Sequence, residues 1–125
     1  MKIGLVSVMV DDPNKALQFY TEVLGFVTRV HVPEAYLAIV ASPEAPDGPG
    51  LLLEPSDNPI AGPFRQGLYQ QGLPVIVFHV DDIESEYQRL QERGVVFTQP
   101  PARSEVGTQA VFDDTCGNLI QLFKP

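Results

Sequence analysis

The same stretch of sequence occurs twice in this chain, 70 residues apart. Val6-Ser7-Val8-Met9-Val10-Asp11-Asp12 aligns with Ile76-Val77-Phe78-His79-Val80-Asp81-Asp82, and each copy is an apolar run that ends in two aspartates. A repeat at this spacing indicates that one supersecondary unit is duplicated. We therefore expect the chain to fold as two similar halves.

A helix is predicted directly after each pair of aspartates. Asp12 suits the N-cap and Pro13 the first helical position of the first helix, while Asp82 suits the N-cap of the second. Gly25 and Gly94 are the expected helix ends. The predicted apolar stripes are Ala16, Leu17, Tyr20, Val23 and Leu24 in one helix and Ile83, Tyr87 and Leu90 in the other.

Three strands are predicted after each helix, so that each half reads strand–helix–three strands. The predicted strands are Phe26–Val32, Tyr36–Ala41 and Leu51–Glu54 in the first half and Val95–Thr98, Gln109–Phe112 and Leu119–Phe123 in the second. We expect one domain over residues 1–125, with module 1 at 1–57, a linker at 58–73 and module 2 at 74–125. Within the linker, residues 63–71 are predicted to form a short helix.

The first strand of each half carries apolar side chains on both of its faces. A sheet covered on one side only would alternate apolar with polar residues. One face is therefore expected to pack on the helix of its own half, and the other to face a second sheet or a cleft.

Composition and charge narrow the partner class. The chain has 16 acidic and 8 basic residues, a net charge of −8, and this field repels phosphate backbones and anionic lipid heads. We therefore expect neither nucleic acid nor a membrane as partner, and a cationic or neutral small molecule instead. The N-terminus lacks the build of a signal peptide, and the single Cys116 excludes an internal disulfide, so a cytoplasmic location is predicted.

Motifs spread over nearly the whole chain resemble the glyoxalase, bleomycin-resistance and extradiol-dioxygenase superfamily, also called the vicinal oxygen chelate proteins. The motifs are Val8-x-Val10-x-Asp12 and Ala16-Leu17-x-Phe19-Tyr20-x-x-Val23-Leu24-Gly25-Phe26 in the first half, and Phe78-x-Val80-Asp81-Asp82, Leu90-x-x-x-Gly94-Val95 and Phe112-x-Asp114-x-x-Gly117-Asn118-Leu119-Ile120-Gln121-Leu122 in the second. The resemblance implies an α+β fold in which two βαβββ modules pair into a curved, incomplete mixed β-barrel around the site. It also implies a homodimer.

The resemblance further implies four metal-ligand positions, which here are Leu5, Glu54, Val75 and Gln121. Leu5 and Val75 have no donor atom, whereas a divalent site normally needs at least three protein ligands. His79 lies four strand residues, about 13 Å, from Val75 and does not fill that position. We therefore expect no metal and no cofactor.

The shared strand direction predicts an apolar cleft between the halves. The segment 99–108 is expected to be a mobile lid that brings Arg103 or Glu105 to the ligand. The predicted ligand-binding residues are Leu5, Ser7, Met9, Leu52, Glu54, Val75, Val77, His79, Arg103, Leu119, Gln121 and Phe123.

Three functions are compatible with these features. The leading interpretation is a metal-free protein that binds a small, cationic or aromatic organic molecule. The alternative is a glyoxalase-type lyase or isomerase, or a dioxygenase-related enzyme with a degenerate metal site, in which Glu54 is the base and His79 or Gln121 assists. A third is a domain that acts only through its dimer surface. If Glu54 does not bind a ligand cation, Arg29, Arg65 or Arg103 could neutralise it instead.

Overall fold

The computed structural model describes residues 1–125 and shows an α+β fold. The strands are β1 (Leu5–Val10), β2 (Val27–Val32), β3 (Leu37–Ala41), β4 (Gly50–Pro55), β5 (Ile76–His79), β6 (Phe97–Arg103), β7 (Thr108–Asp113) and β8 (Leu119–Lys124). The helices are α1 (Pro13–Gln18), α2 (Ala61–Gln70) and α3 (Ile83–Glu92). No helix combines the length and the apolar character needed to cross a bilayer.

The chain divides into two compact units, Met1–Arg65 and Gln66–Pro125. Their four-stranded sheets have equivalent strand orders, β1-β4-β3-β2 and β5-β8-β7-β6. In each sheet the first strand runs parallel to the last, and the remaining pairs are antiparallel. The predicted duplication into two βαβββ modules is confirmed, and the division between units falls inside the predicted linker 58–73.

The caps predicted from the sequence are present. The Asp12 carboxylate accepts a hydrogen bond from the Asn14 N–H at 2.9 Å, and the Asp82 carboxylate accepts one from the Ser85 N–H at 3.1 Å. After α1 the chain continues as a wider π-helical turn over Phe19–Val23, which the sequence did not predict. Gly25 then adopts φ +90°, a left-handed conformation that glycine reaches without steric cost.

Each sheet buries one face against the helices of its own unit. In the first unit α1 packs on β3 and β4, and in the second α3 packs on β6, β7 and β8. The fully buried side chains on these faces and helices include Val8, Val10, Tyr20, Val40 and Leu53 in the first unit and Leu90, Phe112 and Ile120 in the second. The hydrophobic core of each unit therefore lies on the helix side of its sheet.

The segment 99–108 differs from its prediction as a mobile loop. Its first part extends β6 to Arg103, and residues 104–107 make a tight turn in which the Ser104 N–H donates to the Gly107 carbonyl at 2.8 Å. Pro100 and Pro101 are tolerated because β6 is an edge strand, and the register shifts on both sides of Gln99 accommodate them. The strand boundary predicted at Thr98 was therefore wrong.

The linker helix is confirmed and slightly longer than predicted. Helix α2 begins at Ala61, where the Asn58 side-chain oxygen accepts hydrogen bonds from the N–H groups of Ile60 and Ala61 at 3.0 and 2.8 Å. After α2 the chain turns at Gly72, whose φ is +73° and whose N–H donates to the Tyr69 carbonyl at 3.0 Å. The C-terminal end of α2 therefore belongs to the second unit.

Candidate functional site

The predicted ligand-binding residues of the first unit lie together on the sheet face that α1 does not cover. They alternate along β1 and β4 with the buried core positions. Leu5 remains 48% exposed on this face, whereas Val8 on the opposite face is 1% exposed. The residues of this face named by the prediction are Leu5, Ser7, Met9, Leu52 and Glu54.

This first-unit face is mostly aliphatic, and Glu54 is the carboxylate on it. Leu52 lies between Ser7 and Ile39 in neighbouring strands, and Glu54 lies beside Met9. The half-buried Glu54 carboxylate accepts no hydrogen bond and forms no ion pair within the chain. A negative charge without an internal partner on an apolar surface favours a cationic group from outside.

Arg29 lies on the same face but does not neutralise Glu54. Its guanidinium donates hydrogen bonds to the carbonyls of Pro46 and Gly48 at 2.5 and 2.7 Å, and it lies across the strand at Gly50. A Cβ on Gly50 would lie 3.1 Å from the guanidinium, so glycine leaves the room that this arrangement needs. The Arg65 side chain donates to Ser56 Oγ at 2.9 Å.

The predicted ligand-binding residues of the second unit also share one face, apart from Arg103. Val77 is 48% exposed there, and Gln121, directly opposite it in β8, is half-buried. The His79 ring is exposed and lies 5.6 Å from the Phe123 ring. The residues of this face named by the prediction are Val75, Val77, His79, Leu119, Gln121 and Phe123.

Neutral amides distinguish the second face from the first. Gln121 donates a hydrogen bond from Nε2 to Gln109 Oε1 at 3.3 Å. Gln99 lies opposite Val111, which in turn lies opposite Gln121. Gln99, Gln109 and Val111 were not among the predicted residues, although period-two alternation along β7 indicates the last two.

Arg103 is placed on the opposite face of the second sheet. Arg103, Thr108 and Lys124 are paired across β6, β7 and β8 and therefore share one face. Phe123 is adjacent to Lys124 in β8, so its side chain lies on the opposite face. Arg103 lines a groove of about 540 Å³ that also includes Asp82 and Glu84 at the start of α3. The structure therefore does not bring Arg103 together with the other predicted residues, because the segment that carries it is a strand rather than a lid.

Tyr69 was also missed, and it fixes the end of α2 to the second sheet. Its hydroxyl donates a hydrogen bond to Asp113 Oδ2 at 2.5 Å. This hydrogen bond and the negative charge of Asp113 both favour the protonated phenol and raise the pKa of Tyr69 above its ordinary value of 10.0. No local pattern could have indicated a contact between residues 44 positions apart.

Replacing Tyr69 by phenylalanine is expected to lower the free energy of unfolding by about 0.5–1 kcal/mol at pH 7, since the pair is partly exposed. Because the pKa is raised in the folded protein, this stabilisation is fully present below pH 10 and is lost as the pH rises through the folded-state pKa. Urea unfolding at pH 7–11 measures the difference. Tyr36→Phe, at an exposed hydroxyl without a hydrogen bond, is the control, and a Tyr69→Phe deficit that persists unchanged at pH 11 would contradict the assignment.

The four metal positions implied by the resemblance carry few donors. Leu5 and Val75 offer aliphatic carbon only, Gln121 offers an amide that is bonded to Gln109, and Glu54 alone offers a carboxylate. No three His, Cys, Asp or Glu side chains converge anywhere in the chain. These residues do not fit a metal centre of the implied type.

The strand register weakens the fit further. Ser7 and Val77 are equivalent positions of the repeat, and their partners in the last strands are Leu52 and Gln121. The first-unit position that corresponds to Gln121 is therefore Leu52, and Glu54 lies two residues beyond it. A metal site built on equivalent positions of both modules would use Leu5, Leu52, Val75 and Gln121. Of these four side chains, Gln121 alone has a donor atom.

Comparison with known proteins agrees with the topology. The sequence model of the Glyoxalase/Bleomycin resistance protein/Dioxygenase superfamily matches residues 2–122. The chain belongs to this superfamily. Its relatives include YurT from Bacillus subtilis (strain 168), which is 47% identical over 98% of this chain and 98% of YurT.

Solved structures of other proteins have the same fold. UcmS2 is 31% identical, with a TM-score of 0.82, over 98% of this chain and 97% of its own. TnmS3, an antibiotic binding protein from Streptomyces sp. CB03234, is 30% identical, with a TM-score of 0.75, over 100% of this chain and 96% of its own. A lactoylglutathione lyase from Agrobacterium tumefaciens has a TM-score of 0.70 over 98% of this chain and 92% of its own, but its 18% identity supports the fold alone.

Proposed function

We propose that this superfamily member binds a small organic molecule on the exposed sheet faces of its two modules and does so without a metal ion. The observation that carries the proposal is that large apolar side chains, such as Leu5 and Val77, stand exposed on the sheet faces opposite α1 and α3. Exposed apolar surface of this kind is typical of ligand-binding or association sites.

The metal-free part of the proposal rests on side-chain chemistry. Leu5 and Val75 cannot coordinate an ion, and the register adds Leu52 to the positions without a donor. Replacing chelating residues by aliphatic ones changes the surface from one that orients a reacting oxygen to one that holds apolar groups. Binding without turnover is the function such a surface supports best.

A cationic or aromatic ligand suits the two faces. The unpaired Glu54 carboxylate favours a cation on the first face, and the exposed His79 ring with the half-buried Phe123 ring offers an aromatic contact on the second. The antibiotic binding protein TnmS3, with 30% identity over nearly the full length, supports an antibiotic-like ligand.

One observation favours the enzymatic alternative, in which the unpartnered Glu54 acts as a base with assistance from His79 or Gln121. Such an enzyme would need a group that stabilises an enolate, and Gln121 already donates to Gln109. Steady conversion of the hemithioacetal of methylglyoxal and glutathione, abolished by Glu54→Gln, would establish this alternative in place of binding.

We further propose that the protein is a cytoplasmic homodimer. The exposed apolar residues of both sheet faces would be costly as permanent free surface, and a second copy or a ligand removes them from water. The buried thiol of Cys116 suits a reducing compartment.

Native mass spectrometry combined with elemental analysis, on protein purified from its own host, tests these proposals together. We expect the mass of two chains. The metal content should be below roughly 0.1 equivalent of divalent ion per chain, which we take as the threshold for an absent site. Any compound that co-purifies should be an organic molecule. One equivalent of tightly held metal, with activity that chelation removes, would refute the metal-free function. A monomer at micromolar concentration would refute the dimer alone.

A further inference from the structure

A groove of about 420 Å³ lies within the second unit, at one end of its exposed sheet face. Its floor includes Val111 and Leu119, which belong to the same face as Gln121 by strand alternation. One wall is the C-terminal end of α2, and the other is β6. The volume falls within the range of small-molecule pockets.

Tyr69 holds the α2 wall in place. Its hydroxyl is bonded to Asp113 of β7, and the turn that follows closes with the Leu73 N–H donating to the Leu68 carbonyl at 2.9 Å. The Tyr69 ring therefore borders a groove whose floor is nearly fully buried at Val111 (6%) and Leu119 (5%). An aromatic side wall over an aliphatic floor suits a flat apolar ring.

The polar groups of the groove are all uncharged. Thr98 Oγ1 donates to the Val111 carbonyl, whereas the Gln99 amide has no hydrogen-bond partner within the chain. A primary amide offers one acceptor and two donors, and another planar amide complements it. No charged side chain lines the groove, and the Asp113 carboxylate, which is bonded to the Tyr69 hydroxyl, is not part of the lining.

We propose that this groove binds an uncharged aromatic carboxamide group, with its ring against Tyr69 and its amide paired with Gln99. The inference rests on the proposed small-molecule function and extends it by naming the chemistry recognised in the second unit. Gln99 acts as the specificity-determining residue, because it lies directly opposite the floor residue Val111, whereas Gln70, the other amide of the groove, lies on α2. Tyr69 supplies the aromatic contact of the wall.

Benzamide, benzoate and benzamidine provide the test, since the three have nearly the same shape but are neutral, anionic and cationic. We expect benzamide at 0.15 M salt to shift the backbone amide resonances of Gly72, Thr98 and Gln99, and to bind about tenfold more tightly than either charged analogue. Gln99→Leu should lower benzamide affinity about tenfold. Gln91→Leu, at an exposed glutamine on α3, should leave it unchanged.

A second variant guards against a loss caused by altered packing. Gln99→Glu should reverse the preference, so that benzamidine binds more tightly than benzamide. Equal affinity for all three probes, or shifts outside the groove only, would overturn the inference.

Bleomycin titrated into the same protein separates this inference from the proposed function. Shifts near Glu54 with bleomycin but no groove shifts with benzamide would overturn the groove assignment and leave small-molecule binding standing. No shift with any of the four probes would count against both.

Discussion

Replacing Asp114 by alanine is expected to lower the free energy of unfolding by about 3 kcal/mol, the largest effect anticipated for a single polar residue in this chain. Asp114 is fully buried, and its Oδ1 accepts hydrogen bonds from the Cys116 and Asn118 N–H groups at 2.8 and 2.9 Å. Its Oδ2 accepts from Asn118 Nδ2 at 3.3 Å. Alanine would remove the acceptor of these buried donors. Each donor would then keep the free-energy cost of its desolvation without the compensating hydrogen bond.

Urea unfolding followed by circular dichroism measures this loss. Asp114→Asn keeps an acceptor oxygen and should lose less than Asp114→Ala, while Asp47→Ala in an exposed loop should lie within about 0.5 kcal/mol of the native chain. An Asp114→Ala protein as stable as the Asp47 variant would contradict the structural role. The Asp-x-x-Gly-Asn turn would then be assigned a role in ligand binding instead of a role in stability.

The sequence was sufficient for the order of strands and helices along the chain, because the duplication constrains both halves at once. Apolar runs followed by Asp12 and Asp82 predicted the first strands and the capped helices, and the observed caps confirm them. Alternation along β1 and β4 likewise predicted which side chains share a face, since the side-chain period of a strand is two. Local periodicity is a reliable guide wherever strands are regular.

Irregular backbone and long-range contacts limited the prediction of the site. The two register shifts in β6 interrupt alternation around Gln99, so neither its face nor that of Arg103 followed from the sequence. The bond from Tyr69 to Asp113 joins the linker helix to a strand, and neither residue is distinctive in its own segment. By strand register the counterpart of Gln121 in the first unit is Leu52, whereas the resemblance implied Glu54.

Under the proposed function Glu54 selects cationic ligands, so Glu54→Gln should weaken the binding of bleomycin, used as a cationic probe, about tenfold, equivalent to about 1.4 kcal/mol. The substitution keeps the size of the side chain and removes its charge. A partly buried charge-assisted contact is worth about this much. Benzamide, which is neutral, should bind the variant as it binds the native protein, and isothermal titration calorimetry measures both.

The net charge of −8 attracts any cation over long range, so the local effect must be separated from the global one. Glu44→Gln makes the same change in net charge within an exposed loop of the same unit, and it should change bleomycin affinity by less than about twofold at 0.15 M salt, where the Debye length is about 8 Å. If both variants weaken bleomycin equally, the attraction comes from the whole acidic surface. Glu54 would then be only a solvated carboxylate at the end of an aliphatic strand, and the apolar faces alone would determine what the protein binds.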